Sequence, residues 1–375
     1  MGYLNNMFIN KNILLLLFLV LIPKGYYLIT AYNAQDYTIE KAFNKGDETH
    51  YLTIAQNIGT FGVYSDNKSN IPTESATWRP PIWPAILGGF YFIHKSLFGL
   101  ILLKSILESI LVLLSIFLIK NRFKFNKYQI LPFFILFIEP QYIKYSITFL
   151  SESITAVFML VFVVCFLLFV SNKKYSFTIV IAGLLVVVCH PVSVFFVGLL
   201  LLFYGLINLR KHTTRTLFHG VLFILLFSFW PVRNLVTFDK GMYLTASQGT
   251  VFSKGWNKDV VDLFNNVNGD LANEGLNIEM FPPNKTVLSQ STILDKCKLF
   301  TESTLKYIKS ISLKNRLAII TTKIKSNFNP FPMREKDTFI DHLGIVFRIF
   351  YLFVFTQAIF FLLFRKKRQL SAEKF

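Results

Sequence analysis

Long apolar stretches alternate with short cationic runs along this chain. A helix that crosses a bilayer needs about 20 apolar residues. Eight stretches approach or meet that length: 13–31, 98–119, 130–148, 153–170, 177–189, 192–207, 216–236 and 344–364. The fifth and sixth are short. Cys189-His190-Pro191 between them predicts a tight turn joining two tilted or thinly spanning helices. Only Lys11 precedes the first stretch as a cation, and no small-x-small cleavage site follows it, so it reads as an uncleaved span rather than a signal peptide. The expected fold is an all-α integral membrane protein of about eight transmembrane helices.

The charges give this map a direction. Cations flanking membrane helices concentrate on the cytoplasmic side. With the N-terminus inside, the inner segments 1–12, 120–129, 171–176, 208–215 and 365–375 hold 15 Lys/Arg and one acid, Glu373. The first outer segment, 32–97, holds five Lys/Arg and six acids. Merging 177–207 into one helix would put Arg210, Lys211 and Arg215 outside, so the charge pattern favours the hairpin. Both termini are expected in the cytoplasm of a cell whose plasma (inner) membrane carries the protein as a multi-pass chain. The expected organisation is a transmembrane core over 1–238 with the outer loop 32–97, an extracytoplasmic region over 239–342, and a last span with a basic tail over 343–375.

Composition agrees with that class. Charged residues are 16% of the chain, against about 25% in soluble domains, which excludes an ordinary cytosolic enzyme, a disordered protein and a collagen-like fibre. The net charge is +18, but the cations lie between apolar runs rather than on one polar face, which argues against nucleic acid. Three cysteines are too few for a disulfide framework. In the outer region, Asn265 to Asp270 reads as loop. After Pro282-Pro283 a partial helical face appears at Leu294, Cys297, Leu305, Ile308 and Ile311 and continues at Leu317, Ile320 and Ile324, with lysines on the other face. Two readings fit: helices lying on a membrane surface, or a small soluble helical cap.

Candidate chemistry concentrates at the outer side. Gly46-Asp47-Glu48-Thr49-His50-Tyr51 opens a helical pattern in which Asp47, Tyr51 and Ala55 share a face. An acidic pair there suits a general base and equally suits the first turn of a helix. Thr77-Trp78-Arg79-Pro80-Pro81-Ile82-Trp83-Pro84 sets Arg79 between tryptophans, either to fork onto a phosphate or to anchor the chain at the interface. Pro84 fits the first turn of a following helix. Ionisable residues in or near spans usually mark function or a partner. Here they are Lys24, Lys104 with Glu108, Glu139, Lys144, Glu152, His190, Arg233 and Arg348. On this topology Asp47, Arg79, Glu152, His190 and Arg233 share one side of the membrane. There is no GxxxxGK[ST], HExxH, G-x-S-x-G or zinc-spaced Cys/His cluster.

These residues resemble a family. Asp47-Glu48 with Tyr51 is similar to the Asp-Glu motif of the protein O-mannosyltransferases and aminoarabinose transferases, polytopic C-type glycosyltransferases that use lipid-linked sugars. Arg79 to Pro84 resembles their basic-Pro-Pro-aromatic segment. Pro140 followed by Phe149-Leu150-Ser151-Glu152 resembles the stretch ending in a Ser-acid pair, and Trp230-Pro231-Val232-Arg233-Asn234 resembles the Pro-Trp…Arg-Asn segment with Trp and Pro exchanged. Lys296, Tyr307, Ile308, Lys323 and Phe328 to Pro330 are similar to the helices that many bacterial members carry before a last span. Trp78 stands where some relatives have an acid, and the chain has fewer spans than the longest members.

The resemblance implies a mechanism. The donor is a sugar on a polyprenyl phosphate, and the acceptor is a hydroxyl or amine of a lipid, glycan or protein at the outer interface. Asp47 is the general base, with Glu48 beside it. Tyr51, Arg79, Lys104, Glu152, His190 and Arg233 line the substrates, and the basic ones stabilise the leaving phosphate. One base on the far side of the sugar gives inversion. The resemblance fixes no cofactor; a divalent cation on Asp47, Glu48 and Glu152 stays open. Two other readings are a transporter or flippase of a lipid-linked or anionic substrate, and a polysaccharide polymerase or ligase.

Overall fold

The structure is a computed structural model. It describes residues 46–123, 139–171, 176–241, 244–256 and 290–328, with single positions between 21 and 29 and between 345 and 349. Most of the first and last expected spans, and the stretch 124–138, lie outside the described residues. Every regular element described is helical. The helices are α1 (Asp47–Phe61), α2 (Ile82–Ile93), α3 (Leu97–Phe123), α4 (Pro140–Ser146), α5 (Glu152–Ser171), α6 (Ser176–Cys189), α7 (Val194–Phe238), α8 (Gln248–Gly255), α9 (Ile293–Ser310) and α10 (Leu313–Phe328). Short 3-10 turns cover Ser75–Trp78 and Pro191–Ser193.

The chain divides into two compact units, one of residues 1–248 with 292–295, the other of 249–291 with 296–375. In the first, α3, α5 and α7 each contain a stretch long and apolar enough to cross a membrane: Leu97–Arg122, Glu152–Phe169 and Leu217–Phe238. Helix α3 shows the inversion expected of a helix solvated by lipid. Leu102, Ile106, Ile110 and Leu114 form an exposed apolar stripe, while Lys104, Ser105, Glu108, Ser109 and Ser115 are buried. In water this arrangement would expose apolar surface and bury charge, both unfavourable. In a bilayer the same stripe meets acyl chains.

Two expected boundaries change. The stretch 130–148 is not one helix, because Glu139 is extended (φ −61°, ψ 128°) and α4 starts only at Pro140. A residue before proline is disfavoured in the helical region, and the Glu139 carboxylate accepts the Tyr142 N–H at 2.6 Å, capping the new helix. The expected loop 208–215 is also absent, since helical backbone continues through α7 from Val194 to Phe238. A straight helix would hold Leu201 and Phe223 about 33 Å apart. Both nevertheless border the small cluster of Phe169, Ile179 and Val180, so α7 is not straight. The turn expected at Cys189-His190-Pro191 is present: α6 ends at Cys189, His190 is extended, and Pro191 begins the 3-10 turn.

The loop between the first two expected spans folds into α1 and α2, which pack closely. A methyl group on Gly59 would come within 2.8 Å of the Gly88 carbonyl oxygen, and one on Gly88 within 2.6 Å of the Ile58 side chain. Glycine at this crossing lets the two backbones approach. The pair covers the end of a core formed by Tyr51, Leu52, Trp83, Leu87, Leu100, Phe149, Phe158, Phe162, Val186 and Cys189. Segments 244–246 and 292–295 stitch onto the turn after α1. The Ala246 N–H donates to the Thr77 carbonyl at 2.9 Å, and the Leu294 N–H donates to the Glu74 carboxylate at 2.8 Å. Lys240 spans Glu74 at 3.8 Å and Asp295 at 2.8 Å.

Candidate active site

Helix α1 starts at Gly46, whose φ of 58° is open mainly to glycine and which supplies no side-chain cap. Asp47 is thus the first residue of the helix. Its carboxylate turns away from the free N–H groups and takes a two-pronged ion pair from Arg79: Nη1 donates to Oδ2 at 3.0 Å, and Nη2 donates to Oδ1. Asp47 is 64% exposed and Arg79 only 11%. Arg79 is extended (φ −104°, ψ 144°), as a residue before proline prefers. It is held on every side. Nε–H donates to His50 Nδ1 at 3.1 Å, Cζ lies 5.0 Å from the Tyr51 ring centre, and its carbonyl accepts the Tyr64 hydroxyl at 3.0 Å.

The histidine is held in turn. His50 Nε2 lies 3.0 Å from Asp66 Oδ2. With Nδ1 accepting from Arg79, the ring proton sits on Nε2 and donates to Asp66. The other Asp66 oxygen accepts Thr73 at 2.5 Å and Ser75 at 2.6 Å. Partial burial disfavours its charge, but the hydrogen bonds from His50, Ser75 and Thr73 together win and bring its pKa down to about 2. The series Asp47, Arg79, His50, Asp66 therefore ends on a firmly ionised carboxylate.

Glu48 faces the other way. It is half-buried, and its Oε2 accepts a long hydrogen bond from the Phe149 N–H at 3.5 Å. Burial raises its pKa to about 7 against the opposing pull of that N–H and of the Lys104 charge, with the Glu152 carboxylate adding to the rise. Tyr51 is buried beside it and shares a hydrogen bond of 3.2 Å with Ser151. Its phenol is pushed up to about 12, chiefly by burial. Trp83 Nε1 donates to the Phe149 carbonyl at 2.6 Å, so α1 and α2 both grip the segment that leads into Glu152. Glu152 is exposed at the start of α5, within electrostatic reach of Glu48, Tyr51 and His190. Burial lowers the His190 pKa, and the Glu152 charge opposes that shift.

Lys104 lies behind the site rather than in it. It is fully buried, and its ammonium donates to the carbonyls of Tyr145 at 2.8 Å, Thr148 at 2.7 Å and Leu150 at 3.3 Å. It thereby holds the loop that carries Ser151 and Glu152. Below it, Glu108 takes Lys24 at 2.7 Å, Ser153 at 2.7 Å and Tyr142 at 3.1 Å. Arg233 joins from α7. Its guanidinium lies among Trp230 (5.1 Å), Phe238 (5.2 Å) and Tyr64 (5.7 Å) and donates to Asn234 Oδ1 at 2.8 Å. The Tyr64 ring meets Trp230 edge-on at 4.8 Å.

Contacts and charge interactions thus link seven of the expected residues, Arg79 to Asp47 and Tyr51, Glu152 to Glu48, Tyr51 and His190, and Arg233 through Tyr64, while Lys104 holds the segment before Glu152. Asp66 and Tyr64 escaped the sequence reading, and His50 was quoted only as part of a motif. Its spacing three residues after Asp47 was the available signal, because that spacing puts both on one helical face. Among the described residues no three His, Cys, Asp or Glu side chains come together as a metal site, so Asp47, Glu48 and Glu152 do not form a joint oxygen set here.

No protein-family model matches the chain, and neither a curated protein nor a solved structure matches it.

Proposed function

We propose that the chain is an inverting glycosyltransferase that moves a sugar from a polyprenyl phosphate to a hydroxyl or amine of a lipid, glycan or protein. The reading places it in a plasma (inner) membrane, with both termini cytoplasmic and the site at the outer face. The observation that carries it is the Arg79 fork on Asp47, at the end of helices apolar enough to span a bilayer. A guanidinium that grips a carboxylate with two parallel N–H groups grips a phosphate in the same way. The donor phosphate replaces Asp47 on Arg79, and Asp47 is freed as a base beside the reacting carbon. The acceptor oxygen or nitrogen then bonds to the anomeric carbon while the carbon–oxygen bond to phosphate breaks. The electron pair leaves on the phosphate, opposite Arg79, and the acceptor proton goes to Asp47. Glu48, with its pKa near neutrality, faces the Phe149 segment and positions it. Arg233 and His190 line the remainder of the site.

The test uses purified protein in nanodiscs with a panel of short-chain polyprenyl-phosphate sugars, following release of free polyprenyl phosphate. Release that needs Asp47, lost in Asp47→Asn with the fold intact, supports the reading. Wild-type release by Asp47→Asn overturns Asp47 as the base. The transporter reading is favoured by one observation, the Lys24–Glu108 ion pair buried among the helices at 2.7 Å, since charges within membranes often mark transport paths. It requires uptake into proteoliposomes with no covalent product.

A further inference from the structure

Helix α10, in the second unit, carries an apolar line that is exposed among the described residues. Leu313, Leu317, Ile320 and Ile324 follow i, i+4, i+7, i+11 and lie on one face. All four are exposed, at 68%, 53%, 40% and 53%. The inner side of the helix is already used, because Ile319 is buried and Lys323 Nζ lies 4.7 Å from the Trp256 ring centre. The cations flank the apolar line on both sides. At about 100° per residue, Lys314 and Lys325 fall on one border, and Arg316 and Lys323 on the other. The helix contains no acid. Arg316 is turned back onto the Ile311 and Lys309 carbonyls, each at 3.2 Å. Lys314 and Lys325 are free to point outward from the exposed border.

We propose that this face docks on the surface of an anionic bilayer, with the four aliphatic side chains below the headgroups and Lys314 and Lys325 at the level of the lipid phosphates. An aliphatic line bordered on both sides by long cationic side chains is the geometry of helices that lie in the interface. The charge decides between occupants. A second copy would bring the same acid-free helix and a net charge of +18, so two such faces repel, whereas anionic headgroups attract each exposed lysine. The proposal is independent of the chemistry at Arg79 and holds for an enzyme or a transporter alike.

The full-length protein in single-copy nanodiscs tests this through tryptophan quenching by brominated lipid. Leu317→Trp is compared with Asn315→Trp on the opposite, exposed side of the helix. The four native tryptophans contribute equally to both and are subtracted with the wild type. The expected result in discs rich in brominated phosphatidylglycerol is quenching of Trp at 317 at least twofold greater than at 315. The preference should shrink by half or more when Lys314→Glu and Lys325→Glu are added. Equal quenching at the two positions overturns the proposal, and so does a preference that appears only with two copies per disc. A preference unchanged in purely zwitterionic discs overturns the choice of an anionic surface. All the substituted positions are exposed, and unchanged melting temperatures confirm that the variants fold.

Discussion

Arg79 selects the tautomer of His50. The Arg79 Nε–H donates to His50 Nδ1 at 3.1 Å, which leaves the ring proton on Nε2, facing Asp66 at 3.0 Å. A cationic guanidinium is thereby oriented by a neutral ring that is itself anchored to a carboxylate. The two groups stand on different segments, Arg79 in the turn before α2 and His50 on α1. The contact fixes where the fork of Arg79 can reach.

On the proposed function, Asp66→Asn is therefore expected to impair transfer without unfolding the protein. The amide cannot hold the imidazole as the carboxylate does, so Arg79 loses its support. Misplacement by about 1 Å costs on the order of 10²-fold; the Tyr51 ring and the Tyr64 hydroxyl still hold Arg79, so a loss of roughly tenfold is expected. The fall should appear as weaker donor binding, with a near-normal acceptor dependence. Steady-state kinetics with donor and acceptor varied separately check this. An unchanged donor KM together with an unchanged rate would remove His50 and Asp66 from the positioning of Arg79.

Glu48 gives the protein a pH signature. Its folded pKa of about 7 lies above the ordinary 4.5, so the native state holds an extra proton between those values. The stability tied to that proton is fully present below about pH 4.5 and is lost as pH rises through about 7. The full shift is worth ~3 kcal/mol, and partial exposure reduces this to roughly 1–2 kcal/mol. Glu48→Gln should melt higher than wild type at pH 8.5 and at about the same temperature at pH 5.

The crossing of α1 and α2 is expected to tolerate no added methyl at Gly59. A methyl there meets the Gly88 carbonyl at 2.8 Å, and backbone cannot step aside. Overpacking of this kind costs about 1–3 kcal/mol. At Gly88 the obstacles are Cγ2 and Cβ of Ile58, at 2.6 and 2.7 Å, which are fixed to the α1 backbone, so Gly88→Ala should cost about as much. Gly89 has nothing within 4 Å, and Gly89→Ala is the control. Thermal melting in one lipid composition should place both variants well below that control.

Lys104→Met should destabilise the protein by about 1–3 kcal/mol, the cost of leaving buried carbonyls without a donor. The Thr148 and Leu150 carbonyls lose the ammonium, the Tyr145 carbonyl keeps Thr148 and Ser153, and Glu108 keeps Lys24, Tyr142 and Ser153. The rate loss should follow disorder of the 145–150 segment rather than loss of a phosphate contact. Accordingly, raising donor concentration should restore little activity. Restoration to the wild-type rate at saturating donor would assign Lys104 to substrate binding instead.

Much of the site was legible along the chain. Asp47 and Tyr51 share a helical face by spacing alone, and Arg79 before two prolines predicts an extended residue ahead of a helix, as found. The bend at His190-Pro191 follows from a proline after a run of apolar residues. Asp66 was not legible, because a single acid in an irregular loop carries no periodicity. Lys104 and Glu108 looked like a simple i, i+4 pair, yet they are 3.9 Å apart, and each finds its closer partners elsewhere in the chain. Local spacing names the neighbours a side chain has, not the ones it chooses.

The sequence by itself determined that the chain is helical, with stretches long and apolar enough to cross a membrane, and where prolines and charges interrupt them. Apolar length, cation placement and proline positions are local quantities, and each acts on the backbone within a few residues. Only the tertiary structure decided which charges meet. Arg79 is 32 residues from Asp47 and Glu48 is 101 from Phe149. Such contacts depend on how α1 and α2 cross at Gly59 and Gly88, and that crossing is set by packing between elements. Burial follows from the same packing, which is why the two adjacent acids Asp47 and Glu48 end in opposite settings, one exposed in an ion pair and the other half-buried and near neutrality.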